Sequence, residues 1–278
     1  MIPPIARRFV AGETAAAAMD HARQLNDDGV GAILNLLGEH YEARGPADED
    51  ADTYRDLLAE LGATDLDACI SVKPSQLGLD VGEALFRENL GRVVDAAAEH
   101  DRFVWVDMED HTTTDATLDA FETQVRRYPE MGLCLQANLE RTPGDVERLA
   151  DLPGKVRLVK GAYEEPADIA YTDKARVDAA YRDLLELAFE TFDGGVAVGS
   201  HDPEMIALAG DLHEAYGTDY EVQMLMGVRE DAQRELAADG VTVYQYAPYG
   251  TRWLSYFYRR VMERKENALF ALRAVVSG

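Results

Sequence analysis

The chain is predicted to fold as one α/β domain over residues 1–278, a (βα)8 TIM-like barrel with a helix before the first strand and another after the last. Short β-like runs alternate eight times with amphipathic helical segments. Most of those runs are continuously apolar at their centres, as parallel strands covered on both sides must be. The main alternative, an open doubly wound sheet, usually has fewer strands and a Gly-rich phosphate loop after the first, and no GxGxxG or Walker pattern is present.

Ahead of the barrel stands a helix with an AAAAMDHARQL core. The first strand is GAILNLL from Gly31, and the acidic stretch after it, RGPADEDAD, starts a helix rather than linking two domains. The later strands are ACISVK from Ala68, FVWVDM from Phe103, LCLQAN from Leu133, VRLVKG from Val156, VAVGSH from Val196, YEVQML from Tyr220 and VTVYQY from Val241. Between them, segments such as VGEALFRENLGRVVDAAAEH, DKARVDAAYRDLLELAFETF and DPEMIALAGDLHEAYG each carry an apolar stripe and a charged face.

The last unit concentrates unlike chemistry. The run through Val241, Val243 and Gln245 is expected to end at Pro248 and Gly250, and Thr251 can cap a helix that starts at once. On that helix Tyr256, Arg259 and Arg260 stand at i, i+3 and i+4 and share a face, with Arg252 a turn earlier and Glu263 a turn later. Trp253, Phe257 and Val261 form a separate apolar stripe. Two adjacent guanidinium forks beside a phenol suit a small carboxylate better than a long polyanion. On an arbitrary helix the same pair is a solvated face held by Glu263.

Composition excludes more than it selects. A chain of 278 residues, 47% hydrophobic, can bury one large core. Cys69 and Cys134 sit inside apolar strand-like runs as small buried hydrophobes, which suggests neither a disulfide framework nor a zinc site. No apolar run reaches the length of a membrane span and MIPPIARRFVAGE holds no continuous signal core, which predicts a cytoplasmic protein. With 52 acidic against 27 basic residues, a formal net charge of −25 disfavours nucleic acid and anionic lipid. Only five basic residues are lysines, and this acidic, lysine-poor composition is expected of a halophile, in which high ionic strength screens self-repulsion. Lys73 and Lys160 lie in apolar strands, where a charge needs a partner.

In a barrel of this class the site lies at the C-terminal ends of the strands. Polar residues collect there: Lys73; Asp107, Met108 and Glu109; Gln136 and Asn138; Arg157 and Lys160 ahead of Tyr163; Ser200, His201 and Asp202; Gln223; and Tyr246. Singly, Asp107 could be a helix cap, His201 a loop histidine and Tyr163 a rim aromatic. Convergence from seven strand ends is hard to explain by packing alone.

At this point the chain resembles the proline dehydrogenase family, in its short FAD-dependent form. The resemblance rests on SVKPSQLG from Ser71, VDMED from Val106, VRLVKGAYEEP from Val156, GSHDPEM from Gly199, YEVQMLMG from Tyr220 and YAPYGTRWLSYFYRRVMER from Tyr246, in the family's order and spacing. It implies that Arg259, Arg260 and Lys73 bind a substrate carboxylate while Tyr246 and Tyr256 shape the proline pocket. It implies catalytic roles for Asp107 and Arg157. By the same resemblance Met108, Gln136, Arg157, Lys160, Gly161, Ala162, Ser200, His201 and Gln223 touch FAD, bound without a covalent link. Ser200 replaces the more frequent threonine, and Met226 stands where an aromatic is common.

The implied reaction oxidises L-proline to 1-pyrroline-5-carboxylate, with hydride passing to the flavin. A membrane quinone is the implied electron acceptor, reached by peripheral membrane association, and a separate pyrroline-carboxylate dehydrogenase is a candidate partner. No residue is singled out as proton acceptor, which leaves water as a candidate. Three rivals remain: a Schiff-base barrel using Lys73 or Lys160, a metal hydrolase recruiting His111, His201, Asp107 and Glu109, and a non-catalytic acidic binding protein.

Overall fold

The computed structural model describes residues 6–254 and 256–258; Arg259, Arg260, Val261 and Glu263 lie outside the described residues. Eight parallel strands close in sequence order: β1 (Gly31–Leu36), β2 (Ala68–Val72), β3 (Val104–Val106), β4 (Met131–Gln136), β5 (Lys155–Val159), β6 (Val196–Gly199), β7 (Tyr220–Leu225) and β8 (Val243–Tyr249). β8 pairs back onto β1 in a register that sets Ile33 opposite Tyr246. Outside them lie α1 (Ala15–Asp27), α2 (Arg44–Gly62), α3 (Glu83–Glu99), α4 (Thr114–Val125), α5 (Thr142–Leu149), α6 (Lys174–Thr191), α7 (Pro203–Tyr216) and α8 (Glu230–Ala238). The main core is the sleeve between strands and helices, built on residues such as Leu34, Tyr54, Phe86, Phe121, Leu158 and Phe189.

Local sequence explains several helix ends. Thr14 accepts from the Ala17 amide ahead of α1, and Asp173 caps α6 in the same way. Asp202 caps α7 ahead of Pro203, and Gly217 ends that helix in the left-handed conformation at φ 79°. RGP opens α2, as its position after the first strand predicts.

Two boundaries differ from expectation. Several strands stop short of the polar residues that follow them: Lys73, Asp107 and Lys160 each lie one residue past the last ladder position. β8 instead runs through Pro248 to Tyr249. In a parallel strand alternate residues face alternate neighbours. Tyr249 faces β1, where its carbonyl accepts from Leu37, whereas Tyr246 and Pro248 face β7. β7 has already ended at Leu225, so the missing N–H of proline breaks no ladder bond. The Pro248 carbonyl instead accepts from the Ala11 amide (2.8 Å), and Gly12 bridges Tyr249. This N-terminal segment continues the sheet where β7 stops, and it carries Phe9 against Phe257 (centroids 6.1 Å), with Trp253 beside it. Trp253 and Phe257 of the last helix are thus anchored on the N-terminal segment. Helical structure begins at Trp253, after a turn at Thr251 and Arg252.

The floor of the barrel interior is filled by Ile33, Cys69, Trp105 and Ala197, with Phe103 and Tyr244 packed alongside. Gly132 on β4 exists for this plug, since a Cβ there would sit 2.3 Å from the Trp105 ring. Both cysteines are buried and unpaired by disulfide, as the sequence predicts.

Candidate active site

The centre of the site is Asp107, just past β3. Its Oδ1 accepts from Ser71 Oγ (2.7 Å) and from Arg157 Nη2, and its Oδ2 accepts from Lys73 Nζ (3.2 Å) and Tyr246 Oη (2.7 Å). Four donors from three other strands therefore saturate one buried carboxylate. Burial alone would raise its pKa, but the Lys73 and Arg157 charges, with the Ser71 and Tyr246 hydroxyls, bring it down to about 2. Burial pushes the Lys73 ammonium down and the carboxylates of Asp107 and Glu109 more than offset it, so its pKa is raised. Burial next to Asp107 moves the Tyr246 phenol well above its ordinary range. At neutral pH the cluster holds a carboxylate, an ammonium, a guanidinium and a neutral phenol. None is poised to take up a proton.

Arg157 is oriented from several sides. Its guanidinium lies over the Trp105 ring (4.9 Å) and near that of Tyr246 (5.8 Å), and Nη1 donates to Gln223 Oε1 (3.1 Å). Lys73 spends donors on Asp107 and, at 3.4 Å, on Tyr246. An ammonium has three N–H bonds, which leaves one for a ligand.

Above this cluster opens a cavity of about 480 Å³ at the C-terminal mouth of the barrel. Of the residues singled out for the site by sequence, Lys73, Asp107, Met108, Gln136, Arg157, Lys160, Gly161, Ala162, Tyr163, His201, Gln223, Tyr246, Arg252 and Tyr256 line it. Arg259 and Arg260 fall outside the described residues. Ser200 is absent from the lining, its hydroxyl accepting from the Asp202 amide instead (3.1 Å). The Lys160 ammonium reaches the cavity but is held by Asp178 and Asp202 (2.9 Å to the latter). Burial lowers its pKa and those two hydrogen bonds raise it further than that, so it stays charged and already neutralised. Met226 is buried and its amide donates to the Tyr246 carbonyl, so it is not a rim residue.

The loop after β5 folds across the mouth. Gly161 takes φ 116°, and a Cβ there would lie 2.2 Å from Asn138 Oδ1, so only glycine lets the loop pass this close. Gln136 pins it, donating to the Glu109 carbonyl (2.8 Å) and accepting from the Ala162 amide (3.3 Å). His201 Nε2 accepts from the Leu225 amide (3.2 Å), which puts the ring proton on Nδ1.

The donor set fits a flavin. Val159, Met224 and Leu225 supply apolar walls, while Gln136, Arg157, His201 and Gln223 supply polar groups at the edges, as a flat heteroaromatic ring requires. The buried Asn138 Oδ1 also finds no hydrogen-bond donor among the described residues, an acceptor left over beside the same loop.

Met224 and Leu225 in the lining, and Trp105 and Glu221 beneath it, were not singled out from the sequence, and Cys134, also in the lining, was read only as a buried hydrophobe. Strand parity is the signal that could have found four of them, since Cys134, Trp105, Glu221 and Leu225 each lie two positions from Gln136, Asp107 or Gln223, whereas Met224 has the opposite parity on β7 and packs with the outer core.

The rivals fare poorly. Lys73 and Lys160 are both held protonated by carboxylates, the wrong state for an amine nucleophile. His111 is bound to Glu165 (2.5 Å) and His201 to the Leu225 amide, and among the described residues no three His, Cys, Asp or Glu side chains converge to hold a metal ion.

The proline dehydrogenase family model matches residues 18–273. A proline dehydrogenase of Deinococcus radiodurans is 38% identical over 284 residues, covering 99% of this chain and 91% of that protein. Proline dehydrogenase 1 of Bacillus subtilis (strain 168) is 35% identical over 275 residues, covering 98% and 90%. The crystal structure of proline utilization A from Bdellovibrio bacteriovorus, inactivated by N-propargylglycine, superposes with a TM-score of 0.85 at 23% identity over 93% of this chain and 32% of that one, a likeness of fold. Sequence, fold and family model agree: the chain belongs to the proline dehydrogenase family.

Proposed function

We propose that the cavity at the barrel mouth is where this FAD-dependent oxidoreductase converts L-proline to 1-pyrroline-5-carboxylate, with Asp107 and Arg157 as catalytic residues. The observation that carries the reading is the saturated Asp107 carboxylate, tying Lys73, Arg157 and Tyr246 into one rigid wall of the cavity. FAD, when bound, supplies the acceptor for hydride from the ring carbon beside nitrogen. Every other step belongs to the chain's own residues. Lys73 offers its remaining N–H to the substrate carboxylate together with Arg259 and Arg260, while Tyr246 and Tyr256 confine the ring. Asp107 offsets the cations that would otherwise repel the ammonium form of proline. With a pKa near about 2 and all four lone-pair directions used, it is an electrostatic anchor and a poor base. The proton therefore leaves proline to water.

Gln136, Arg157, His201 and Gln223 would hold the polar groups of FAD between the apolar walls, and Met108, Lys160, Gly161 and Ala162 would lie beside it. Ser200, turned toward Asp202, has no part in this reading. Electrons pass on to a membrane quinone through peripheral contact; no helix among the described residues is long and apolar enough to cross a membrane. A separate pyrroline-carboxylate dehydrogenase would consume the product. The visible spectrum of the purified protein tests the reading: flavin bands that bleach on adding L-proline, and colour released to the supernatant by acid precipitation, are expected. Borohydride trapping of substrate on a lysine, with no bleaching, would overturn it.

A further inference from the structure

Beneath the mouth a buried column of polar side chains descends through the barrel, and the reaction as described leaves its lower half unused. Lys155, at the start of β5, donates to Glu221 Oε2 (2.6 Å). Gln223 Nε2 donates to Glu221 Oε1 (2.7 Å), and Arg157 joins from above, donating through Nη1 to Gln223 Oε1 (3.1 Å) and through Nη2 to Asp107. Glu221 is 4% exposed, deep for a charged side chain, and stands in register with Ala197, itself in register with Arg157.

The direction of these bonds follows from one fact: an ionised carboxylate only accepts. Gln223 must therefore turn its NH2 group down to Glu221, which turns its carbonyl up to the Arg157 guanidinium. The two ends of a carboxamide are nearly the same shape, and partners alone decide which way it points. A glutamine at 221 could accept or donate equally well. The amide of Gln223 could then flip and set its N–H groups against those of Arg157, donor facing donor. The Trp105 face beneath the guanidinium permits rotation in its plane, so the bonds to the Gln223 carbonyl and Asp107, with the Cys134 thiol beside them, fix its angle.

We propose that Glu221 is a positioning residue for proline oxidation: by locking the amide of Gln223 it holds Arg157, and through it Asp107, in the geometry the cavity needs. The proposal rests on the reading of this cavity as the proline-oxidising site. Lys155 serves as the counter-charge that lets Glu221 stay ionised in the interior.

The test uses the FAD-loaded holoenzyme of Glu221→Gln, a near-isosteric change. The expected result is a kcat at least about tenfold below wild type, the scale of a small misplacement at a reacting centre. The KM for proline should stay within about threefold, because Lys73, which binds the carboxylate, is held through Asp107 Oδ2 and Tyr246 and has no bond to Arg157, Gln223 or Glu221. FAD content should be unchanged, and the flavin midpoint potential should move positive because a negative charge is lost below Arg157. The double variant Lys155→Met/Glu221→Gln keeps the interior charge balanced, covers a single variant that does not fold, and should show the same fall in kcat. If Glu221 merely braced the floor through its ion pair, this double variant would recover wild-type kcat. Wild-type kcat in either folded variant, or a lowered kcat in Glu221→Gln with FAD lost or with a wild-type potential, overturns the proposal. Arg157→Met separates this failure from that of the underlying reading. A crippled Arg157→Met beside normal Glu221 variants sinks only the role of Glu221. Absence of proline turnover by the wild-type holoenzyme, or wild-type kcat in Arg157→Met, sinks the reading of the site itself.

Discussion

Trp105 and Asp107 stand two residues apart on the same side of one strand and meet opposite surroundings. Trp105 belongs to a dry plug with Ile33, Cys69 and Ala197, whereas Asp107 gathers Ser71, Lys73, Arg157 and Tyr246. The same step of two separates Tyr244 from Tyr246 on β8, the first bonded to Asp67 (2.7 Å) toward the floor and the second to Asp107. The plug and the cluster depend on each other. Side chains that exclude water below strengthen every charge interaction above, and they leave an unpaired charge there with no solvent to relieve it. The floor supplies rigidity and low dielectric, the mouth supplies chemistry, and the two can be broken separately.

The largest effect is expected from Asp107→Asn, which keeps the shape and leaves Lys73 and Arg157 as two buried cations around a neutral amide. Losing one member of a buried ion pair costs about 3 to 5 kcal/mol. Proline turnover should fall more than about a hundredfold, since 2.8 kcal/mol corresponds to roughly that factor. Steady-state kinetics and urea unfolding would measure both, and wild-type turnover would remove the distinction between mouth and floor. The same carboxylate sets an acid limit. Because its pKa is depressed from 3.8 to about 2, its contribution is full above the upper value and is lost as pH falls through the lower one. Acid-unfolding curves of wild type and variant should therefore converge over that window.

Next in size is the clamp proposed for the substrate carboxylate. Arg259→Lys and Arg260→Lys keep the charge and lose the planar fork. One charge-assisted hydrogen bond contributes about 1.5 to 3 kcal/mol, so each change should raise the KM for proline roughly ten- to two-hundredfold while FAD content holds. Inhibition by proline-like carboxylates should weaken in parallel. A wild-type KM in both variants would return the pair to a solvated helix face.

The floor should answer in stability and not in chemistry. Gly132→Ala places a methyl group 2.3 Å from the Trp105 ring, and overpacking of this kind costs about 1 to 3 kcal/mol. A lower melting temperature with unchanged KM is expected. A raised KM at unchanged stability would show that the plug shapes the cavity directly.

The smallest effect belongs to the exterior, far from either end of the interior. At a net charge of −25, raising salt from 0.1 M to 1 M shortens the screening length from roughly 10 Å to roughly 3 Å and should raise the melting temperature and activity together. Scanning calorimetry across that range would test it, and a flat melting temperature would remove the proposal of a halophilic protein.

Much of this molecule was legible in the chain. The barrel followed from eight apolar runs at regular spacing, because a continuously apolar strand has nowhere to go except between two covered faces. The mouth followed too, since polar residues at the ends of such strands have only the barrel rim to occupy: fourteen of the residues singled out for the site line one cavity. Ser200 did not follow, because a hydroxyl beside a helix start has a competing partner in the next turn, here the Asp202 amide. Nor did one partner of Lys160, since Asp178 lies on α6 and no pattern in the strand points to it.

What the sequence by itself determined was the class of each element, the side of each strand that faces inward, and the family to which the chain belongs. Only the tertiary structure decided which of those inward groups meet. The bonds on Asp107 join residues 34, 36, 50 and 139 positions apart, and their pairing depends on how the closed barrel staggers its strands. The same closure let β8 run through a proline, because its neighbour had already ended and the start of the chain had taken its place. A period of two is a local property of one strand, carried by the covalent geometry of its backbone. The stagger that sets strands opposite one another is a property of all eight at once, and no single stretch of sequence contains it.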